Sequence, residues 1–259
     1  MSQMDTHALA AEILAAYRLG GVIPTLTGRD PEFDLANAYQ VESEFKRLRG
    51  VPSAGLKVGY ANKAVWRALK LETLVWAHMY EDTVRYSVEE IELPYWRSPK
   101  IEPEIVFKLK QQPASGADVG AVLESVEWIA LGFEIIDSPF PDWQFKPADF
   151  VAAFGLHLGL VVGEPMHVTS DVIPQLVEQL ASFKVRLFRG DALAEEGSGK
   201  NSLRSPALCV AELASRTALG AGDLISSGTL TNGQPIAKGD AWKAELEGLP
   251  LASISLKFA

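Results

Sequence analysis

Three glutamates supply the clearest chemical signal in the chain. In Lys100-Ile101-Glu102-Pro103-Glu104-Ile105-Val106-Phe107-Lys108-Leu109, a strand's period of two sets Ile101, Pro103, Ile105, Phe107 and Leu109 on one face. Glu102 and Glu104 fall together on the other. At roughly 3.3 Å per residue their Cα atoms lie about 6.6 Å apart, near enough for both carboxylates to reach one hard cation. Taken alone, such a pair is also what a half-buried strand with a solvated acidic face would carry. Residues 128–137 add a third carboxylate, because Glu134 is the only charge on a face otherwise made of Ala130, Gly132 and Ile136. Burying it unpaired would be costly, so a cation or a cationic side chain is expected beside it. Pairing with Lys57 or Lys100 would meet that need. So would Mg²⁺ or Mn²⁺ held by Glu102, Glu104 and Glu134.

Other polar residues stand in settings that invite the same question. Lys57 lies in Gly55-Leu56-Lys57-Val58-Gly59, and it either snorkels from an edge strand or sits in a site that tunes its pKa. His157 interrupts the apolar strand Leu156–Gly163; a hydrogen-bonded core histidine is the ordinary outcome, and a site role is the alternative. Ser227-Gly228-Thr229 forms a turn whose N–H groups and hydroxyls can meet a carboxylate, or a plain turn.

The elements that must position these residues begin with two helices. One runs over 8–19, with Leu9, Ile13, Ala16 and Tyr17 at helical spacing and Gly20-Gly21 as its stop. The second starts at Asp34, carries Leu35, Ala38, Val41, Phe45 and Leu48 on one stripe, and closes at Gly50. Pro24 to Pro31 reads as the loop between them. This gives a helical N-terminal unit over 1–52. From residue 53 to 259 short apolar runs broken by Gly and Pro predict strands, with helices near 62–71, 118–126 and 147–154, one ending at Glu178, and one opened by Ser205-Pro206. Gly190-Asp191 marks a hairpin. The expected class is α+β, a strand-rich roll or barrel with a few helices laid on it.

The 259-residue chain has a net charge of −9 and no basic run, which argues against a nucleic-acid surface. No apolar stretch is long enough to span a membrane, and the N-terminus lacks a basic start and an apolar h-region, so a cytoplasmic location is expected. Cys209 is the only cysteine, which excludes internal disulfides and multi-cysteine metal sites. Fingerprints of serine hydrolases, zincins, nucleotidases and nicotinamide enzymes are missing.

Lys57 in Leu-Lys-Val-Gly, Pro99-Lys100-Ile101-Glu102-Pro103-Glu104-Ile105, Glu134-Ile135-Ile136-Asp137-Ser138, and Ile225-Ser226-Ser227-Gly228-Thr229 through Gly239-Asp240 together resemble the fumarylacetoacetate hydrolase superfamily. More narrowly the chain is similar to its 2-keto-4-pentenoate hydratase and 4-oxalocrotonate decarboxylase branch, whose N-terminal helix matches Asp34–Gln40. The resemblance implies a mixed β-roll and a divalent cation, Mg²⁺ or Mn²⁺, on Glu102, Glu104 and Glu134. It implies acid/base work for Lys57, and contact of Gly228-Thr229 with the substrate's carboxylate end. It also implies a homo-oligomer, with a sister decarboxylase or hydratase as a further partner. The activity implied is hydration of a 2-hydroxy-2,4-dienoate in aromatic-compound degradation. Alternatives are a 4-oxalocrotonate-type decarboxylase, an acylpyruvate-type C–C hydrolase using His157 or His78 as water base, and a non-catalytic partner subunit. Pro139 stands where the branch commonly has Arg, which favours a monocarboxylate substrate. Residues 152–157 replace a polar segment, making His157 a substitute polar group and leaving room for an aromatic or longer tail beside Trp143 and Phe154.

Overall fold

The structure is a computed structural model that describes residues 4–92 and 97–259; Pro94, which in the sequence leads into the glutamate strand, lies outside them. The chain opens with α1 (Thr6–Leu19), α2 (Leu26–Arg29) and α3 (Leu35–Arg49). Asp5 accepts a bond from the Ala8 N–H at the start of α1, and Gly20 ends it in the left-handed conformation at φ 67°. Asp34 and Asn37 cap α3 reciprocally. The segment expected as a loop therefore contains one helical turn, α2. Its Thr27 N–H and hydroxyl both donate to the buried Asp149 carboxylate, at 2.9 and 2.6 Å, and this tertiary anchor overrides the weak helix propensity of Gly28.

The strands and remaining helices follow in order: β1 (Ser53–Gly59), α4 (Trp66–Leu69), β2 (Val75–Tyr80), β3 (Val84–Tyr86), β4 (Glu90–Ile91), β5 (Lys100–Leu109), α5 (Val119–Glu124), β6 (Val126–Ile136), α6 (Pro147–Ala152) and β7 (His157–Val162). Then come β8 (Met166–His167), α7 (Ile173–Ser182), β9 (Lys184–Arg189), β10 (Ala192–Ser198), α8 (Pro206–Ala214), β11 (Leu224–Ser226), β12 (Gln234–Pro235), β13 (Ala241–Glu247) and β14 (Ile254–Phe258). The helix expected to end at Glu178 continues to Ser182, because Leu176 and Leu180, four residues apart, both bury on the same side.

Among the described residues the strands form two sheets. The larger runs β2-β1-β11-β5-β6-β7-β3, with β12 and β8 pairing at its margins, and the smaller runs β10-β9-β13-β14-β4. Pairing is mixed: β1 is parallel to β11 and antiparallel to β2, while β5 pairs antiparallel with β11 and β6. This is the mixed α+β roll. Buried residues of α1 and α3, such as Ile13, Val41 and Phe45, join the same apolar cluster as Ile101, Ile105 and Phe107 on one face of β5. The face of β5 and β6 that carries the glutamates continues as a smaller cluster of Val106, Ala130 and Leu160. No helix among the described residues is long and apolar enough to cross a membrane.

Candidate active site

Five neighbouring strands each contribute one part of a single row. In the order β1, β11, β5, β6, β7 they bring Lys57, Ser226, the Glu102/Glu104 pair, Glu134 and His157 side by side. The register places Glu102 directly opposite Glu134, so both side chains leave the same face of the sheet. Carboxylate oxygens from Glu102, Glu104 and Glu134 all lie within 4.8 Å of one another. A register shift between Ile135 and Ile136 sets His157 opposite Ile136, and its Nδ1 reaches Glu134 Oε1 at 2.8 Å.

The polar contacts are unevenly shared. Lys57 Nζ lies 2.9 Å from Glu134 Oε2 and donates to the Gly155 carbonyl at 3.0 Å. The cation that the sequence calls for beside Glu134 is thus Lys57, while Lys100 stands 3.9 Å over the Trp143 ring. Both the Ser226 hydroxyl and the Gly228 N–H donate to Glu104 Oε2, at 2.6 and 2.8 Å. Glu104 Oε1 is buried without a hydrogen-bond partner. On the far side, the Thr83 hydroxyl sits 2.9 Å from His157 Nε2.

Burial drives the electrostatics. It pushes Glu102 up to about 7, with Lys57 opposing the shift. Burial and then Glu134 hold Glu104 well above the usual carboxylate range. Burial would also raise Glu134, but the Lys57 charge and the His157 hydrogen bond outweigh it and hold this carboxyl low. For Lys57 burial favours the neutral amine, and the three glutamates override it and raise its pKa. His157 is lowered by burial beyond what Glu134 restores, which favours the neutral ring. Three carboxylates, Glu104 and Glu134 fully buried and Glu102 half-buried, facing one ammonium leave the centre short of positive charge. The donor set is all oxygen, and one buried oxygen is unclaimed. Those features fit a hard divalent cation on Glu102, Glu104 and Glu134.

A cavity of about 590 Å³ opens onto this row, and Lys57, Lys100, Glu102, Gly228 and Thr229 are among its lining residues. Ser227 is turned away: its hydroxyl donates to the Ile105 carbonyl at 2.8 Å, deep in the protein. His157 is fully buried behind Glu134 and does not line the cavity. His78 is bound to Glu42 at 2.7 Å and also lies outside it. Phe154 stacks on Phe45 with ring centroids 4.3 Å apart, in the helical core rather than beside Trp143. No site role is legible in the sequence for Thr83, Tyr60, Phe145 or Phe150, and Ser226 stands there only within a motif. Ser226 carries a usable signal, a hydroxyl that ends the apolar run Leu224-Ile225; the aromatic residues carry none, since apolar side chains in turns and helices usually mean core.

Residues 55–254 match the fumarylacetoacetate (FAA) hydrolase C-terminal family. The chain is 31% identical over 253 residues to a 2-hydroxyhexa-2,4-dienoate hydratase of Comamonas testosteroni, covering 92% of each. It is 29% identical over 260 residues to a 4-oxalocrotonate decarboxylase of a Pseudomonas species, covering 97% of this chain and 98% of the relative. Among solved structures it is similar to the 4-oxalocrotonate decarboxylase of Pseudomonas putida G7 complexed with magnesium and adipate, with a TM-score of 0.89 and 26% identity over 100% of this chain and 99% of the other. The family match spans most of the chain, and its fold carries the row of polar residues described above. The chain belongs to the fumarylacetoacetate hydrolase family.

Proposed function

We propose that this protein is a divalent-metal-dependent lyase that adds water to a 2-hydroxy-2,4-dienoate of the 2-keto-4-pentenoate type, in the breakdown of aromatic compounds. One observation carries the reading: three glutamate carboxylates converge with one buried oxygen of Glu104 unclaimed, and the cavity beside them is reached by a lysine. Glu102, Glu104 and Glu134 would hold Mg²⁺ or Mn²⁺. When bound, the cation would supply positive charge that stabilises an enolate of the substrate. Lys57 is the proton carrier. Its Nζ is fixed by Glu134 and by the Gly155 carbonyl, and an ammonium at that atom can deliver a proton to the dienol as it becomes a ketone. Gly228 and Thr229 line the cavity where the carboxylate end would lie, with the Gly228 N–H committed to Glu104 and the Thr229 hydroxyl donating to the Thr231 carbonyl at 2.9 Å. His157 serves through Glu134, whose orientation it fixes.

The relatives named as hydratases support this activity, and the similarity to the decarboxylase supports a second reading, in which CO₂ leaves from the far carboxylate of a dicarboxylate. The scarcity of cations in the cavity speaks for the monocarboxylate. Ultraviolet absorbance of 2-hydroxypenta-2,4-dienoate and of 4-oxalocrotonate, each followed with and without Mg²⁺ or Mn²⁺, tests the choice. Metal-dependent loss of the first with no CO₂ from the second is expected. CO₂ release from the dicarboxylate alone would transfer the assignment to the decarboxylase.

A further inference from the structure

One wall of the active-site cavity is a continuous run of aromatic rings. Phe150 starts it beside the lysine, with its ring centroid 5.1 Å from Lys57 Nζ. Tyr60 meets Phe150 edge-on at 5.2 Å, Phe145 follows at 6.4 Å from Phe150, and Trp143 lies 6.2 Å from Phe145. All four line the cavity, and Lys100 caps the far end over Trp143. The run is held at a conformational cost. Tyr60 and Trp143 have φ of 55° and 57°, a left-handed backbone that bulky side chains rarely adopt. A Cβ on Gly59 would stand 2.3 Å from the Phe150 ring, so the ring presses on bare backbone. Strain kept in two aromatic residues of one cavity points to a ligand surface, since a core could bury these rings in relaxed conformations.

Size and charge say what the surface takes. About 590 Å³ is room for a ligand much larger than a five-carbon acid. Among the described residues no arginine lines the cavity, and Glu195 and Glu196 add negative charge to it. A second carboxylate on the substrate tail would find only Lys100, already placed on Trp143. Resting on the metal-site reading above, we infer that the cavity selects 2-oxo or 2-hydroxydienoic acids whose tail ends in a flat, uncharged group of aryl size, packed along Tyr60, Phe150, Phe145 and Trp143.

Saturated 2-oxo acids test this without turnover, because they have no conjugated double bond to hydrate. Calorimetry on the Mg²⁺-loaded protein would compare 2-oxopentanoate, 2-oxo-5-phenylpentanoate and 2-oxohexanedioate. The phenyl compound is expected to bind at least tenfold tighter than 2-oxopentanoate, and the dicarboxylate no tighter than 2-oxopentanoate. In Phe145→Ala the phenyl advantage should fall below threefold. Three acids that respond equally to Mg²⁺ and bind equally would overturn the tail assignment alone, as would preference for the dicarboxylate or an undiminished phenyl advantage in Phe145→Ala. If Mg²⁺ strengthened binding of none of them, the metal-site reading would fall and the tail assignment with it.

Discussion

Glu104 gives both protein donors, the Ser226 hydroxyl and the Gly228 N–H, to one oxygen and leaves the other bare in a buried setting. An arrangement so one-sided is costly for a carboxylate whose only task is packing, and it is reasonable for one that ligates. Glu104→Gln keeps a carbonyl oxygen for both donors while removing a charge from the crowded centre. Mn²⁺ affinity measured by electron paramagnetic resonance is expected to fall at least 100-fold, whereas the metal-free variant is expected to unfold about 1 kcal/mol later than wild type in urea at alkaline pH. An unchanged Mn²⁺ affinity would remove Glu104 from the ligand set. Thr83 tests the other side of the row. Its hydroxyl steadies the His157 ring, which holds Glu134 Oε1, and neither Thr83 nor His157 lines the active-site cavity. Partners that orient metal ligands are typically worth 10- to 100-fold in affinity. Thr83→Val should therefore weaken Mn²⁺ binding by roughly that factor while Thr83→Ser restores it. If Thr83→Val bound Mn²⁺ as tightly as wild type, Thr83 would have no positioning role toward the glutamates.

At the scale of elements, the site depends on the connection from α6 to β7. Phe154, Gly155 and Leu156 all have positive φ, at 43°, 67° and 60°, and this turn delivers the Gly155 carbonyl to Lys57. A Cβ at Gly155 would come within 2.5 Å of Lys57 Cδ and 3.1 Å of Ala77 Cβ. In Gly155→Ala the lysine must shift, and a more than tenfold drop in kcat is expected with Mg²⁺ affinity reduced far less, since no glutamate is displaced. Equal losses in both would show that the turn supports the whole centre. The same connection marks the limit of what the sequence could reveal. Alternation in residues 100–109 puts Glu102 and Glu104 on one face of their strand, and alternation in 128–137 makes Glu134 the lone charge on a face of its own, because strand geometry is local; that these faces coincide is set by the antiparallel register. Lys57 meets Glu134 although β11 and β5 separate β1 from β6, in an order set by crossovers that no local pattern encodes. The same holds for Phe150, which enters the cavity from a helix anchored through Asp149 to Thr27, 122 residues away. The motif resemblance supplied Lys57 as a site residue where periodicity left it undecided between edge strand and site.

For the molecule as a whole, folding without a cation means burying more carboxylate charge than Lys57 can offset, and pH then decides the cost. Glu102 has an ordinary value of 4.5 and is raised to about 7 in the fold, and Glu104 moves in the same direction. Between those limits the folded protein holds protons that the unfolded chain has released, so stability rises as pH falls through the window and is lost as pH rises. His157 opposes this. Its lowered value means that the unfolded chain binds one proton below about 6.5 that the folded ring does not take, which offsets one of the two carboxyls. Glu134, held low, loses its contribution only at pH below the window, and the raised Lys57 loses its own only well above it. Urea unfolding in EDTA is therefore expected to give greater stability near about pH 5.5 than near about pH 7.5, with Glu102 alone contributing on the order of 2 kcal/mol. Adding millimolar Mg²⁺ should reverse the slope, because a cation binds the ionised carboxylates and competes with their protons. A flat profile in EDTA, or a slope that Mg²⁺ leaves untouched, would mean that the three glutamates are already neutralised within the protein and that the centre has no call for a metal.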